Sequence, residues 1–232
     1  MRETLPGTPG EDMATDTDQV SAVREAAPRH GISPPMFEGA GASAPGPDMA
    51  VYAAGLENAG WKGMGAAVAA LLVAGPRVVV AHVGDVRVYR VRGGGLEKLT
   101  EDHSHGELYA KWRGVEADPD VLRMKRRLLT QAVGPAPTVR VAVAVAPLEP
   151  GDVFLVCSDG LWGSLTHDAM ARAIAGAPGL HGAAAALVSS ALRAGGTDDV
   201  TAVLVRPLRG ANRRGTDHAS RGVVSASRAQ AA

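Results

Sequence analysis

The sequence predicts an α+β fold with antiparallel sheets and helices on the outside. Three observations predict it. Apolar runs of strand length follow one another through most of the chain. Turns carrying Gly or Pro separate neighbouring runs. The helical patterns are grouped rather than alternating with the strands, which argues against a parallel α/β sheet.

The elements follow in order. Residues 1–49 are rich in Pro, Gly, Asp and Ser, and only 20–27 could form a short helix, stopped by Pro28. Such a stretch cannot bury enough apolar surface to offset its ordering entropy, so a disordered or atypical segment is expected. Residues 50–208 read as globular. Residues 50–59 are a helix end closed by Gly60, and 66–73 and 77–83 are strands of a hairpin turned by Gly75-Pro76. Residues 86–91 continue as a strand, and Gly93-Gly94-Gly95 turns them into 96–100. In 139–146 Val and Ala alternate, so both faces are apolar and an internal strand is expected. Pro150-Gly151 leads into a strand over 152–157. Thr166 is placed to cap a helix through Ile174, with Asp168 in its first turn. Residues 183–194 form a second helix ended by Gly195-Gly196, and 200–205 form the last strand. Residues 209–232 are small and polar, and read as a disordered, solvated tail.

Composition narrows the function. Of 232 residues, 46% are hydrophobic but only 3% aromatic, so the core is built from Ala, Val and Leu. Lys+Arg and Asp+Glu are both 24, which argues against nucleic-acid binding, where a basic excess neutralises phosphates. A single cysteine excludes a disulfide framework and a cysteine-based zinc site. Neither a run long enough to span a membrane nor an apolar secretory leader is present, so a cytoplasmic location is expected.

Three acidic spots stand at the ends of apolar strands beside glycine: Gly84-Asp85, Ser158-Asp159-Gly160, and Gly196-Thr197-Asp198-Asp199. A carboxylate so placed can point into a cleft while its strand holds it rigid. Converging carboxylates make an oxygen-rich site suited to magnesium or manganese. The plainer reading is that Asp beside Gly is ordinary turn chemistry.

The wider wording is more specific. GMGAAVAALLV at 63–73 precedes VAHVGDVRVYRVRGGGLEKLTEDHS at 80–104 and RRLLTQAVG at 126–134. PGDVFLVCSDGLW at 150–162 and GGTDDVTAVLV at 195–205 complete the series. In this order and spacing the set resembles the metal-dependent protein phosphatases (PPM family, type 2C), of bacterial kind, over about 50–205. The resemblance implies a sandwich of two antiparallel sheets flanked by helices, with a two-metal centre of Mn²⁺ or Mg²⁺ in a cleft at one edge. It implies a protein serine/threonine phosphatase in which metal-activated water attacks phosphoserine or phosphothreonine directly. The implied partners are phosphorylated proteins, substrates of Ser/Thr kinases, with no nucleic acid and no membrane.

Carried over residue by residue, Asp159 matches a metal ligand and Asp198 matches another. Asp199 stands where the family has Asn. Asp85 matches a Gly-Asp-Ser-Arg turn with Val86 for Ser, and reads as structural: Asp85 can hold backbone amides and Arg87 can pair with a carboxylate. Asp102-His103-Ser104 matches a motif near the cleft rim, with His103 orienting rather than acting as a base. Gly160 and Asp199 are further rim or structural candidates.

The chain departs from the family at its start. An Arg-x-x-Asn-Glu-Asp strand and an Asp-Gly-Met-Gly-Gly-His strand are both missing, so the N-terminal part is read as incomplete. Gly63-Met64-Gly65 has no preceding Asp, and the fifteen residues from Asp48 to Gly63 leave little room for the helix the family puts there. Without the bridging carboxylate, too little negative charge remains to hold two divalent ions close together. No residue is therefore assigned to catalysis itself. The alternatives are a catalytically impaired phosphatase-like binding module, or a truncated or frameshifted gene product.

Remaining residues have plainer readings. Cys157 is a small buried hydrophobe. Glu116, Asp118 and Asp120 read as a solvated loop in a flap segment. Arg123, Lys125, Arg126 and Arg127 read as a solvated basic face that could attract an acidic phosphosubstrate. Trp112 and Trp162 read as packing residues.

Overall fold

The computed structural model describes residues 47–114, 117–207 and 222–229. The expectations for 1–46, and for Glu116, lie outside them. Among the described residues the helices are α1 (Pro47–Glu57), α2 (His105–Arg113), α3 (Pro119–Arg126), α4 (Asp159–Trp162), α5 (His167–Ala175) and α6 (Leu180–Arg193). A 3-10 turn over Ala59–Trp61 follows α1. The strands are β1 (Val68–Ala74), β2 (Arg77–Val83), β3 (Arg87–Arg92), β4 (Gly95–Lys98), β5 (Ala142–Pro147), β6 (Val153–Cys157), β7 (Val200–Pro207) and β8 (Gly222–Ala229).

Two sheets form, one ordered β1-β2-β5 and one ordered β4-β3-β6-β7-β8. Every pairing is antiparallel, as the α+β reading expects. Alternation sorts the apolar side chains into two cores. Val78 and Val80 of β2 pack with Val88 of β3 and Phe154 of β6, which joins the two sheets face to face. Tyr89, Leu155, Cys157, Ala202 and Leu204 point the other way, against Met170 of α5 and Ala184, Leu187 and Ala191 of α6. The small helix residues let α6 lie close on the sheet. Core packing thus relies on aliphatic residues, as the 3% aromatic content requires.

The helix from Thr166 begins as its sequence demands, with the Thr166 hydroxyl accepting from the Ala169 amide at 3.2 Å. Three expectations are corrected. Residues 118–126 are not a loop: Asp118 Oδ1 accepts from the amides of Asp120 and Val121 and caps α3, so its carboxylate serves a helix end. The 139–146 segment does not supply an internal strand. β5 pairs with β2 alone among the described strands, because alternating Val and Ala fixes burial of its faces and says nothing of its hydrogen-bonding edges. The tail is not polar coil throughout. Gly222–Ala229 pairs along the whole of β7, whose open edge offers ladder hydrogen bonds to any extended segment regardless of its side chains.

Candidate functional site

The strand register brings the three acidic spots together. Arg87 of β3 lies opposite Cys157 of β6, and Cys157 lies opposite Ala202 of β7. Asp85 stands two residues before β3, Asp159 two residues after β6 and Asp198 two residues before β7. All three therefore emerge at one end of the same sheet. Sequence spacing of more than seventy residues becomes adjacency across three neighbouring strands.

Gly160 sets how near two of them come. A Cβ at Gly160 would lie 2.4 Å from the Asp199 carbonyl oxygen, so the chain after Asp159 passes against the 198–199 main chain only because no side chain is there. Ser158 fastens the same approach. Its hydroxyl donates to the Asp199 carbonyl at 3.1 Å and accepts from the Thr201 amide at 3.0 Å. Asp159 and Asp198 each accept from the next residue's amide through Oδ1, at 2.9 and 2.8 Å, which restrains both carboxylates.

Asp85 is held from several sides. Gly84 has φ +94 and is buried, and a Cβ there would fall 2.6 Å from the Ala67 Cβ. Trp162 Nε1 donates to the Asp85 carbonyl at 3.0 Å. The Arg87 guanidinium lies 3.6 Å from the Trp162 ring centroid. Arg87 in turn binds Asp102 bidentately, Nε to Oδ1 at 2.9 Å and Nη2 to Oδ2 at 2.6 Å, and donates to the Tyr89 hydroxyl at 3.1 Å. Arg87 and Asp102 are both buried, so this pair is a fixed strut rather than a mobile ligand. His103 Nδ1 accepts from the Gly84 amide at 3.2 Å, and its ring stacks on His82 at 4.7 Å. His82 Nε2 bonds the Glu101 carbonyl at 2.7 Å.

The electrostatics follow from this crowding. Burial, and then the neighbouring Asp159 charge, push the Asp85 carboxyl up to about 6. Burial, and then Asp198, raise Asp159, while Arg127 pulls it back down. Burial lowers His103, helped by the charges of His82 and Arg140. Carboxylates that repel one another at a cleft end form a field that a divalent cation relieves.

The donor set fits hard cations, since carboxylate oxygen is the ligand of magnesium and manganese. Asp159 and Asp198 would offer one such ion the oxygens outside these amide bonds, and water can fill its remaining positions. Among the described residues no group of three or more Asp, Glu, His or Cys side chains is close enough to hold a metal. The described carboxylates alone therefore do not make up a two-ion centre. Asp102 and His103 face inward and hold the scaffold. Sequence reasoning missed the polar role of Trp162 and the braces from Ser158 and His82. Trp162 carried a signal, since it lies one helical turn after Asp159.

Comparison with known proteins decides the family. No family model matches the chain. The serine/threonine phosphatase Stp of Listeria monocytogenes is 31% identical over 143 residues, covering 62% of this chain and 57% of that protein. The crystal structure of the PPM Ser-Thr phosphatase MsPP from Mycobacterium smegmatis, in complex with cacodylate, superposes with a TM-score of 0.56 at 30% identity, covering 68% of each chain. The chain belongs to the PPM phosphatase family. The PPM chain spans little more than half the length of its Listeria relative. The catalytic domain of the phosphatase PstP, solved with two manganese ions, also superposes on it, with a TM-score of 0.61 at 25% identity over 80% of this chain and 76% of that one. No described helix of this PPM chain is long and apolar enough to cross a membrane.

Proposed function

We propose that this chain is a metal-dependent protein serine/threonine phosphatase that hydrolyses phosphoserine and phosphothreonine. The observation that carries the reading is the convergence of Asp159 and Asp198, held by the Gly160 approach and the Ser158 brace. Family membership and the manganese-bound PstP relative support it. Asp159 and Asp198 would hold the cation. When bound there, Mn²⁺ or Mg²⁺ supplies Lewis acidity toward water and the phosphoryl group.

The protein's own residues position and shield. The Asp159 and Asp198 carboxylates each keep one oxygen on the next residue's amide, which restrains both side chains. The Trp162–Asp85 bond keeps the β3 entry turn from closing over or leaving the site. Asp85, whose carboxyl burial and the Asp159 charge push up to about 6, adds to the acidic field at this end of the sheet. His103 accepts an amide proton through Nδ1, so it is neutral there and orients the turn rather than moving a proton.

Phosphoproteins modified by Ser/Thr kinases are the substrates that fit this chemistry, and a cytoplasmic location fits those partners. One observation favours a second reading, a phosphatase-like binding module with little turnover: the described carboxylates fall short of a three-ligand group. The deciding experiment is hydrolysis of a phosphothreonine peptide by the purified 232-residue chain with and without Mn²⁺. Manganese-dependent release of phosphate, abolished by Asp159→Asn, supports the enzyme. Peptide binding with no turnover in either form supports the binding module.

A further inference from the structure

A groove of about 470 Å³ lies beside the carboxylates rather than over them. Its walls include Gly65, Ala66, Ala67, Leu128, Leu129 and Arg127. None of the three aspartates lines it. It is nevertheless fastened to them. Ala67 packs its Cβ on Gly84, the residue before Asp85. The Leu128 carbonyl accepts from the His105 amide at 2.8 Å, the His103 carbonyl accepts from the Thr130 amide at 2.8 Å, and the His103 amide donates to Gly84 at 2.9 Å. Three main-chain bonds thus tie the groove wall at 128–130 to the turn that carries Asp85.

The basic run beside the groove is not uniform. Arg123 pairs with Asp120 at 3.0 Å, and Lys125 lies 5.8 Å from the Tyr109 ring. Arg126 packs its stem on Gly106, where even one added carbon would meet it at 2.6 Å. Arg127 is exposed, lines the groove, and makes no side-chain hydrogen bond or ion pair among the described residues. Its charge nonetheless acts on Asp159. A phosphoryl group arriving at an acidic site needs a cation that the site's own carboxylates have not already taken. Leu128 and Leu129, exposed in spite of their apolar side chains, offer a surface for the residue next to it.

We infer that the groove is a recognition subsite for phosphorylated peptides, in which Arg127 grips the phosphate and the Leu128–Leu129 wall takes an apolar side chain beside the phosphorylated residue. The inference rests on the phosphopeptide reading above and extends it to named specificity determinants. Arg127 is suited to the grip because a guanidinium meets phosphate oxygens through two parallel N–H bonds, which Lys cannot reproduce. The apolar wall adds selectivity for sequence, and the cation adds selectivity for the phosphate.

The test is fluorescence anisotropy with the full chain in Mn²⁺ buffer. The probes are a labelled phosphothreonine peptide with a flanking leucine, its unphosphorylated twin, and a phosphothreonine peptide with serine for the leucine. Arg127→Met should weaken the phosphopeptide about ten- to a hundredfold, leave the twin unchanged, and be partly rescued by Arg127→Lys. Leu128→Ser, at an exposed position that folding tolerates, should erase the preference for leucine over serine. Unchanged phosphopeptide affinity in Arg127→Met, or equal loss for peptide and twin, overturns the inference, as does an intact leucine preference in Leu128→Ser. Absent hydrolysis with Arg127-dependent binding intact sinks the catalytic reading alone. Hydrolysis with binding indifferent to Arg127 sinks this one alone.

Discussion

Trp162 Nε1 donates to the main-chain carbonyl of Asp85 across 3.0 Å, from the short helix that begins at Asp159. One indole therefore links the loop after β6 to the turn before β3. Its ring also carries the Arg87 guanidinium, which is locked to Asp102. Two acidic positions far apart in sequence are held by one brace.

Removing that brace should loosen the site before it unfolds the chain. Trp162→Phe keeps a ring under Arg87 but loses the bond to Asp85. We expect a loss of about 1–2 kcal/mol in urea unfolding, from the unmet carbonyl and the weaker cation–π contact. Manganese affinity should fall with it. Unchanged stability and metal affinity would show that the brace is incidental.

The Arg87–Asp102 pair should be far more sensitive to loss of one partner. Arg87→Met strips the two-oxygen contact from buried Asp102 and leaves it only Lys98 Nζ, 3.7 Å from Oδ1, which costs up to about 3–5 kcal/mol. Arg87→Lys should also destabilise, since an ammonium cannot reproduce the two-oxygen contact. Denaturant midpoints of the two variants, compared at pH 7, measure both.

Gly160→Ala should separate fold from site. The added carbon meets the Asp199 carbonyl at 2.4 Å, a main-chain atom that cannot yield without moving Asp198. The expected result is weakened manganese binding together with a lower melting temperature. An alanine variant that binds manganese as the parent does would refute the close approach as the organiser of the site.

Acidification should weaken the fold through the stacked histidines. Burial lowers His82 first of all its influences, against the pull of Glu101 and Asp102, and lowers His103, with His82 and Arg140 adding to it. Both folded values lie below 6.5. The unfolded chain then binds protons that the folded chain refuses, so this stability is complete above about 6.5 and is lost as pH falls through the folded values. Asp85 acts with the opposite sign, its raised carboxyl favouring the fold as pH falls from about 6. Imidazole titration by NMR should place both histidines below 6.5, and Asp85→Asn should steepen the acid loss. A His103 value above 6.5 would contradict the packing described.

The fold was legible where pattern and physics agree. The 77–83 strand lies where its apolar run ends, because a Gly-Pro turn bounds it on one side and Gly84 on the other. Thr166 announced its helix through capping chemistry that is local in sequence. The α3 helix is hidden in the sequence because its apolar residues are sparse, and Asp118, which reads as a loop acid, serves as its cap. β8 was missed because it is recruited by an open edge, and edges leave no trace in the recruited segment's own pattern. At the site, the three aspartates are visible beside glycines, but local spacing only allows their convergence, and the family resemblance alone pairs Asp159 with Asp198. Convergence depends on which residue of β3 faces which residue of β6, and register across seventy residues is fixed by packing rather than by local spacing. The role of Trp162 was hidden for the same reason: its partner is a main-chain oxygen, which no side-chain motif records.

The most direct measurement is calorimetric titration of the full chain with Mn²⁺, set against Asp159→Asn and Asp198→Asn. Convergence of the two carboxylates on one cation predicts saturable binding in the parent and its loss in each variant, with the circular dichroism of all three unchanged. Binding of equal affinity in the parent and both variants would show that these aspartates do not form the metal site.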